Sequence, residues 1–169
     1  GEFSILLLSS LYGLCIAVSS QNFLPLFLGL ELASLPVYTL VLLAYRRPQS
    51  AEAAFKYLVL SGAATATLLM GVSLLYGATG SMTVSAFVGA VQGGHGFSQI
   101  AVILVFVALF LKAAVVPFHA WAPDAYEGAS VPVTATNREI VRVMATAVVA
   151  ATVRASDEVV ALASGLALP

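Results

Sequence analysis

Three ionisable residues stand inside long apolar runs of this chain. Glu31 lies within FLPLFLGLELASLPVYTLVLLAY, Lys56 lies in the run that follows, and Lys112 comes just ahead of a proline-rich segment that contains His119. In hydrocarbon a charge at the centre of a lone helix costs roughly 2.5–3.5 kcal/mol, so each of these groups needs a partner or water. Glu31 is about eight residues, or roughly 12 Å, from the start of its run, and its short side chain reaches water at neither end. A functional or paired carboxylate is therefore expected there. Lys56 is about one turn from a polar joint and can alternatively snorkel to lipid headgroups, and the same alternative holds for Lys112. His119 can carry protons or serve as a hydrogen-bonded structural histidine. His95, in a glycine-rich stretch, reads as solvent-exposed, and Asp124 and Glu127 read as residues that cap and orient a loop.

The elements that position these groups follow from composition. Of 169 residues, 60% are hydrophobic and only 9% charged, with a mean hydropathy of +1.01, whereas a soluble domain carries roughly 25% charged residues. The chain is expected to be an all-α, polytopic transmembrane helix bundle. Five apolar runs can be marked, approximately 3–19, 23–45, 53–76, 99–116 and 131–153, each to be set against the roughly 20 residues a helix needs to cross a bilayer. Ser156 can cap a further short helix over 157–168, about 18 Å long and too short to span. No repeat of 20–50 residues interrupts the pattern, so residues 1–169 read as one membrane domain without a secretory signal peptide. A net charge of −1 leaves no basic excess for nucleic acid. Cys15 has no second cysteine to pair with and reads as a small packed hydrophobe.

The joints suggest an orientation. In YRRPQSAE, Arg46 and Arg47 place positive charge beside Pro48, which ends one helix, and Ser50, which can cap the next. By the positive-inside rule this joint faces the cytoplasm. The stretch from Gly77 to Phe97 has no lysine or arginine and suits the opposite side. Within the spans, Glu31, Ser34, Tyr38 and Tyr45 share one helical stripe, so Glu31 faces protein. Lys56 lines up with Ala63 and Thr67, and Lys112 lies over Ala108 and Ala101, on surfaces whose small side chains permit close helix packing.

The fourth run then breaks. In FLKAAVVPFHAWAPDAYEGASVPVTA, Pro117, Pro123 and Pro132 fall within 16 residues, interleaved with His119, Trp121, Asp124, Tyr126 and Glu127. A proline inside a helix frees a backbone carbonyl, which at membrane depth is tolerated only where protein or a water-filled cavity satisfies it. Discontinuous helices of this kind mark ion pathways in transporters. The alternative is a cytoplasmic loop with interfacial Trp and Tyr. A break is expected within residues 116–122, at Pro117. No nucleophile–base pairing, phosphate-binding glycine loop or metal-ligand spacing is visible, which argues against covalent chemistry of the chain's own.

The segments LFLGLELASLPVYTLVLLAYRR, SAEAAFKYLVLSGAATATLLMGVSLLYGATGS and FLKAAVVPFHAWAPDAYEGASVPVTA resemble the antiporter-like membrane subunits of respiratory complex I, the proton-pumping NADH:quinone oxidoreductase. The likeness is greatest to the N subunit, the mitochondrial subunit 2 type, and covers about residues 2–135 through GLELxSLP and KxxxVPFHxWxPDxYxG. It implies that Glu31 matches the glutamate of helix 5, Lys56 the lysine of helix 6 and Lys112 the lysine of the broken helix 7. In that family these residues belong to a proton-translocation half-channel within the first of two inverted repeats. It further implies that Glu31 sets the proton affinity of a buried lysine, expected to be Lys112 on a facing helix with Lys56 as the next candidate partner, that other membrane subunits are partners, and that the location is the bacterial inner membrane. Flavin, iron–sulfur and quinone chemistry would sit in other subunits, leaving this chain a non-redox part of a translocase, with no cofactor or metal of its own.

Two departures from the family stand out. The fifth span should carry a central lysine after PVTA, but TNREIVRV follows, so that either Arg142 or Val149 takes the place, depending on how the segment is aligned. An arginine stays protonated and cannot release protons as lysine can, so Arg138, Glu139 and Arg142 read as a solvated, charge-paired start of that helix. The chain is also short for the family and reads as a fragment or a truncated, diverged copy. A multi-subunit cation/proton antiporter subunit and a non-conducting structural remnant are the competing functions.

Overall fold

The computed structural model describes residues 1–43, 48–93, 96–115, 117–119 and 121–146. Six helices follow in order: α1 (Glu2–Ser19), α2 (Phe23–Leu42), α3 (Pro48–Thr79), α4 (Val84–Gly93), α5 (Phe97–Lys112) and α6 (Trp121–Gly128). Residues 131–146 are also helical. α1, α2 and residues 50–79 of α3 are long and apolar enough to cross a membrane, and α5 is a shorter apolar helix. Among the described residues the extended pairing is a single bridge between Asn22 and Thr83. This is a polytopic helix bundle, as composition demands.

Close approach of backbones sets the α1–α2 contact. Gly13 and Ala17 on α1 face Gly29 and Ala33 on α2, two small residues four apart on each helix. A Cβ built on Gly13 would sit 2.4 Å from the backbone nitrogen of Ala33, and one on Gly29 would sit 2.6 Å from that of Ala17. Without side chains at the crossing the two backbones touch, as happens where membrane helices pack without a hydrophobic driving force between them. Ser10 adds a buried bond to the Ala33 carbonyl at 2.7 Å.

The helix starts and turns have local causes. Asn22 caps α2 by accepting from the Leu24 N–H at 3.0 Å, satisfying one of the orphan donors of a helix start. The turn before α2 is tied to the turn after α3, where Phe23 N–H donates to Met82 at 2.9 Å and Val84 N–H to Gln21 at 3.1 Å. These two turns therefore lie at one end of the bundle. At the other end Leu40 and Val41 of α2 pack with Ala53 and Ala54 of α3 and with Val133, so α2 and α3 meet where the sequence placed their joint. Arg46 and Arg47, and with them the joint expected to be cytoplasmic, lie outside the described residues, as do His95, Val149 and the short helix expected over 157–168.

Against the expected spans, α1 to α3 differ by a few residues at their ends. α3 is the larger difference: it starts at Pro48, a residue suited to the first helical turn, and at 32 residues it is about 48 Å long, more than a hydrocarbon core requires. The stretch 77–97, read from its glycines as a connection, holds the ten-residue α4. Phe87 of α4 packs edge-on to Phe23 and Phe106, and that tertiary contact outweighs the low helix propensity of glycine.

Candidate proton site

The bundle brings Glu31 and Lys112 together. Glu31 sits on α2, Lys112 is the last residue of α5, and α3 packs against both helices. Lys112 Nζ lies 2.7 Å from Glu31 Oε1, with the lysine side chain 3% and the glutamate side chain 22% exposed. Thr65 of α3 donates to the same oxygen at 2.6 Å. Beneath the lysine Ala101 and Ala108 are fully buried, the face that the spacing predicted, and Gly71 of α3 lets Val105 of α5 approach to about van der Waals contact. An ammonium proton within hydrogen-bond reach of a carboxylate oxygen, away from water, is an arrangement in which a proton can be held and transferred.

Lys112 owes its depth to the end of α5. The helix closes at Lys112 with Ala113 as its cap; Val115 N–H reaches back to Phe110 at 3.1 Å and Ala114 N–H to Leu111 at 3.4 Å. This is the Schellman pattern, which places the residue after the cap in the left-handed region. Here that residue is alanine, Ala114, at φ 52°, a conformation unfavourable for any residue with a Cβ. The break therefore starts four residues before Pro117, not at it. Pro117 has no N–H to bond the Ala113 carbonyl and its ring would crowd that carbonyl, which weakens helix here; α2 nevertheless continues through Pro36, so it is the helix end at Ala113 that turns the chain once α5 has delivered Lys112. Pro117 itself lies exposed in the turn.

The other sequence candidates lie elsewhere. Lys56 bonds Glu52 at 2.9 Å and Asp124 at 3.1 Å, with about half of its side chain exposed. It ties the start of α3 to α6 and does not touch Glu31. Asp124, read as a loop cap, is the acidic partner of that tie. His119 is exposed in the turn between α5 and α6. Arg142 and Glu139 form an exposed pair at 3.9 Å, while the buried face of 131–146 carries Val133, Asn137, Ile140, Val141 and Met144. Arg142 thus does not occupy a buried lysine's place. Cys15 is exposed on α1, where a buried hydrophobe was expected.

Several polar residues of the centre were not singled out from sequence. Besides Thr65, Ser61 of α3 bonds the Tyr38 hydroxyl, and Tyr57 of the same helix bonds Asn137. Tyr57, Ser61, Thr65 and Leu68 are spaced as one face of α3, and all but Thr65 are buried. The hydroxyls at positions 61 and 65, four apart in an apolar run, were the available signal. Reading the stripe from Lys56 instead selected the neighbouring face, on which Ala63 is exposed.

The chain is a multi-pass membrane bundle with a buried ion pair at the end of a broken helix. Residues 20–162 match the NADH:quinone oxidoreductase/Mrp antiporter transmembrane family, and the chain belongs to that family. It is 44% identical over 141 residues to NADH-quinone oxidoreductase subunit N of Pelobacter propionicus, covering 83% of this chain and 30% of that protein. The subunit N of Bacillus anthracis is 45% identical over 140 residues, with 80% and 28% covered. Among solved structures, respiratory complex I from Thermus thermophilus matches at a TM-score of 0.80 and 37% identity, covering 89% of this chain and 34% of that one. The Mrp complex from Dietzia matches at 0.73 and 28%, covering 84% and 28%. The chain thus spans about a third or less of the length of the proteins it matches.

Proposed function

We propose that this chain is a proton-translocating membrane segment of a complex I N-type subunit, in which Glu31 and Lys112 form a proton relay. The observation that carries this reading is the Lys112–Glu31 contact at 2.7 Å, set at the C-terminal end of a helix that stops inside the bundle. Thr65 fixes the carboxylate, so the distance between carboxylate and ammonium becomes the variable that a conformational change in neighbouring subunits would alter. Separating the pair leaves two charges in a medium of low polarity, which favours passing the lysine's proton on. The break after Lys112 exposes backbone groups that water can serve, giving the proton somewhere to go. Lys56 and His119 remain candidate stations nearer the end of the bundle where α3 begins.

The redox step belongs, in this reading, to other subunits that carry flavin, iron–sulfur clusters and quinone; the partners of this chain are membrane subunits and lipid in a bacterial inner membrane. Proton uptake by proteoliposomes holding the assembly, driven by NADH oxidation, tests it. Glu31→Gln should reduce pumping per electron, and pumping at the parental ratio would refute the relay. A second reading, a subunit of a cation/proton antiporter, has support in the Mrp structure. Sodium-dependent proton exchange by vesicles, with no quinone-reducing subunits co-purifying, would favour it.

A further inference from the structure

Trp121 stands at the centre of a connection that the relay alone does not require. In an unbroken helix the Leu111 carbonyl would accept from the N–H of Val115, but that N–H turns back to Phe110. The indole Nε1 of Trp121 donates to the Leu111 carbonyl at 3.0 Å, beside the longer 3.4 Å bond from the Ala114 N–H and one residue before Lys112. The indole is itself held: its ring stacks on Tyr57 at 4.4 Å with the planes 7° apart, and Tyr38 meets the other ring edge-on at 4.6 Å. Tyr57 in turn donates to Asn137 Oδ1 at 3.2 Å. Trp121, Tyr57 and Asn137 are all buried, and the Nδ2 of Asn137 has no acceptor among the described residues, so the bond from Tyr57 is what anchors that amide. The 131–146 helix, α3 and α6 are thereby joined to the broken end of α5.

We infer that Trp121 is a positioning residue: its indole N–H, oriented by Tyr57 and Asn137, clamps the end of α5 and fixes where Lys112 meets Glu31. The inference rests on reading that pair as the working site, but its geometry stands apart from transport. Ala114, left-handed and strained, follows the clamped turn at once, so the end of α5 needs an external restraint to keep its place. The indole is well suited to the task, because stacking fixes the ring plane and leaves its single donor aimed. Displacement of the 131–146 helix would act on Lys112 by the same route, with no part taken by its exposed Arg138, Glu139 and Arg142.

The chain has two lysines, Lys56 and Lys112, which makes the contact readable by solid-state NMR of the full chain in lipid bilayers. Nζ-to-carboxyl cross-peaks should link Lys112 to Glu31 and Lys56 to Glu52 and Asp124. Trp121→Phe keeps a ring against Tyr57 but removes the donor. The ratio of paired to unpaired Lys112 should then fall about fivefold, the effect of one net hydrogen bond, while the Lys56 peaks persist. A Lys112–Glu31 peak of parental intensity in that variant overturns the clamp. If Trp121→Phe loses the Lys56 peaks too, the fold has changed, and Tyr57→Leu, which leaves the donor but removes the ring that aims it, is read by the same criterion. Because transport is not measured, a chain that moves no protons yet loses the peak in Trp121→Phe supports the clamp while refuting the relay. An unchanged peak overturns the clamp even where Glu31→Gln impairs pumping and the relay stands.

Discussion

Lys112 and Glu31 are separated by 81 positions in sequence, yet their charged atoms lie 2.7 Å apart. The lysine is more deeply buried than its partner, and Thr65 holds the same carboxylate oxygen. Removing one member strands the other away from water, which for buried pairs costs roughly 3–5 kcal/mol. The two side chains are therefore energetically one unit.

That unity is tested by a double-mutant cycle on proton pumping in the assembled complex. Lys112→Ala should abolish the pumping that depends on this site, Glu31→Gln should reduce it, and the double variant should be no worse than Lys112→Ala alone, because coupled residues are not additive. Additive losses would mean two independent proton sites.

Lys56 should behave as part of a different unit. Its bonds to Glu52 and Asp124 predict that Lys56→Met and Asp124→Asn are coupled to one another in the same assay and independent of Glu31→Gln. A coupling of Lys56 to Glu31 larger than that to Asp124 would contradict the geometry.

At the α1–α2 crossing, Gly13→Ala should destabilise the bundle by roughly 1–3 kcal/mol, the usual cost of overpacking, since its Cβ would meet backbone and not a side chain that can turn away. Gly62→Ala makes the control, because nothing lies within 4 Å of a Cβ there and alanine is the better helix former by about 1 kcal/mol. Denaturation in mixed micelles should rank the two variants on opposite sides of the parent, and equal effects would sink the crossing.

Ala114→Gly should stabilise the break. Glycine adopts the left-handed conformation freely where alanine pays roughly 1–2 kcal/mol, so the net gain after the added flexibility of the unfolded chain should be about 0.5–1 kcal/mol. Thermal unfolding in detergent checks it, and a lower midpoint would show that Ala114 is not held at its φ of 52°.

A Tyr38→Phe substitution removes the hydroxyl that bonds Ser61 and leaves the edge-on ring contact with Tyr57 in place. It should cost about 1 kcal/mol, and Ser61→Ala on the Tyr38→Phe background should add little. The same unfolding measurement decides between coupled and separate contributions.

The sequence by itself determined that this is a membrane helix bundle, because apolar runs of these lengths with so few charges have no other stable home. It also determined that Glu31 faces protein, since a carboxylate eight residues into such a run cannot reach water; it put the break of the fourth run at Pro117, whereas the helix already ends at Ala113. Family resemblance matched Glu31, Lys56 and Lys112 to the same half-channel and paired Glu31 with Lys112, keeping Lys56 as the next candidate partner. Only the tertiary structure showed the Lys112–Glu31 contact itself and gave Lys56 to Glu52 and Asp124. Both lysines lie on apolar helices near small residues, and choosing between them requires the depth and rotation of three helices at once, which helical periodicity leaves free. The place where α5 stops was also beyond local reading: a left-handed alanine is disfavoured by its own chemistry, and the indole that bonds the Leu111 carbonyl beside it comes from Trp121 on α6, stacked on Tyr57 of α3.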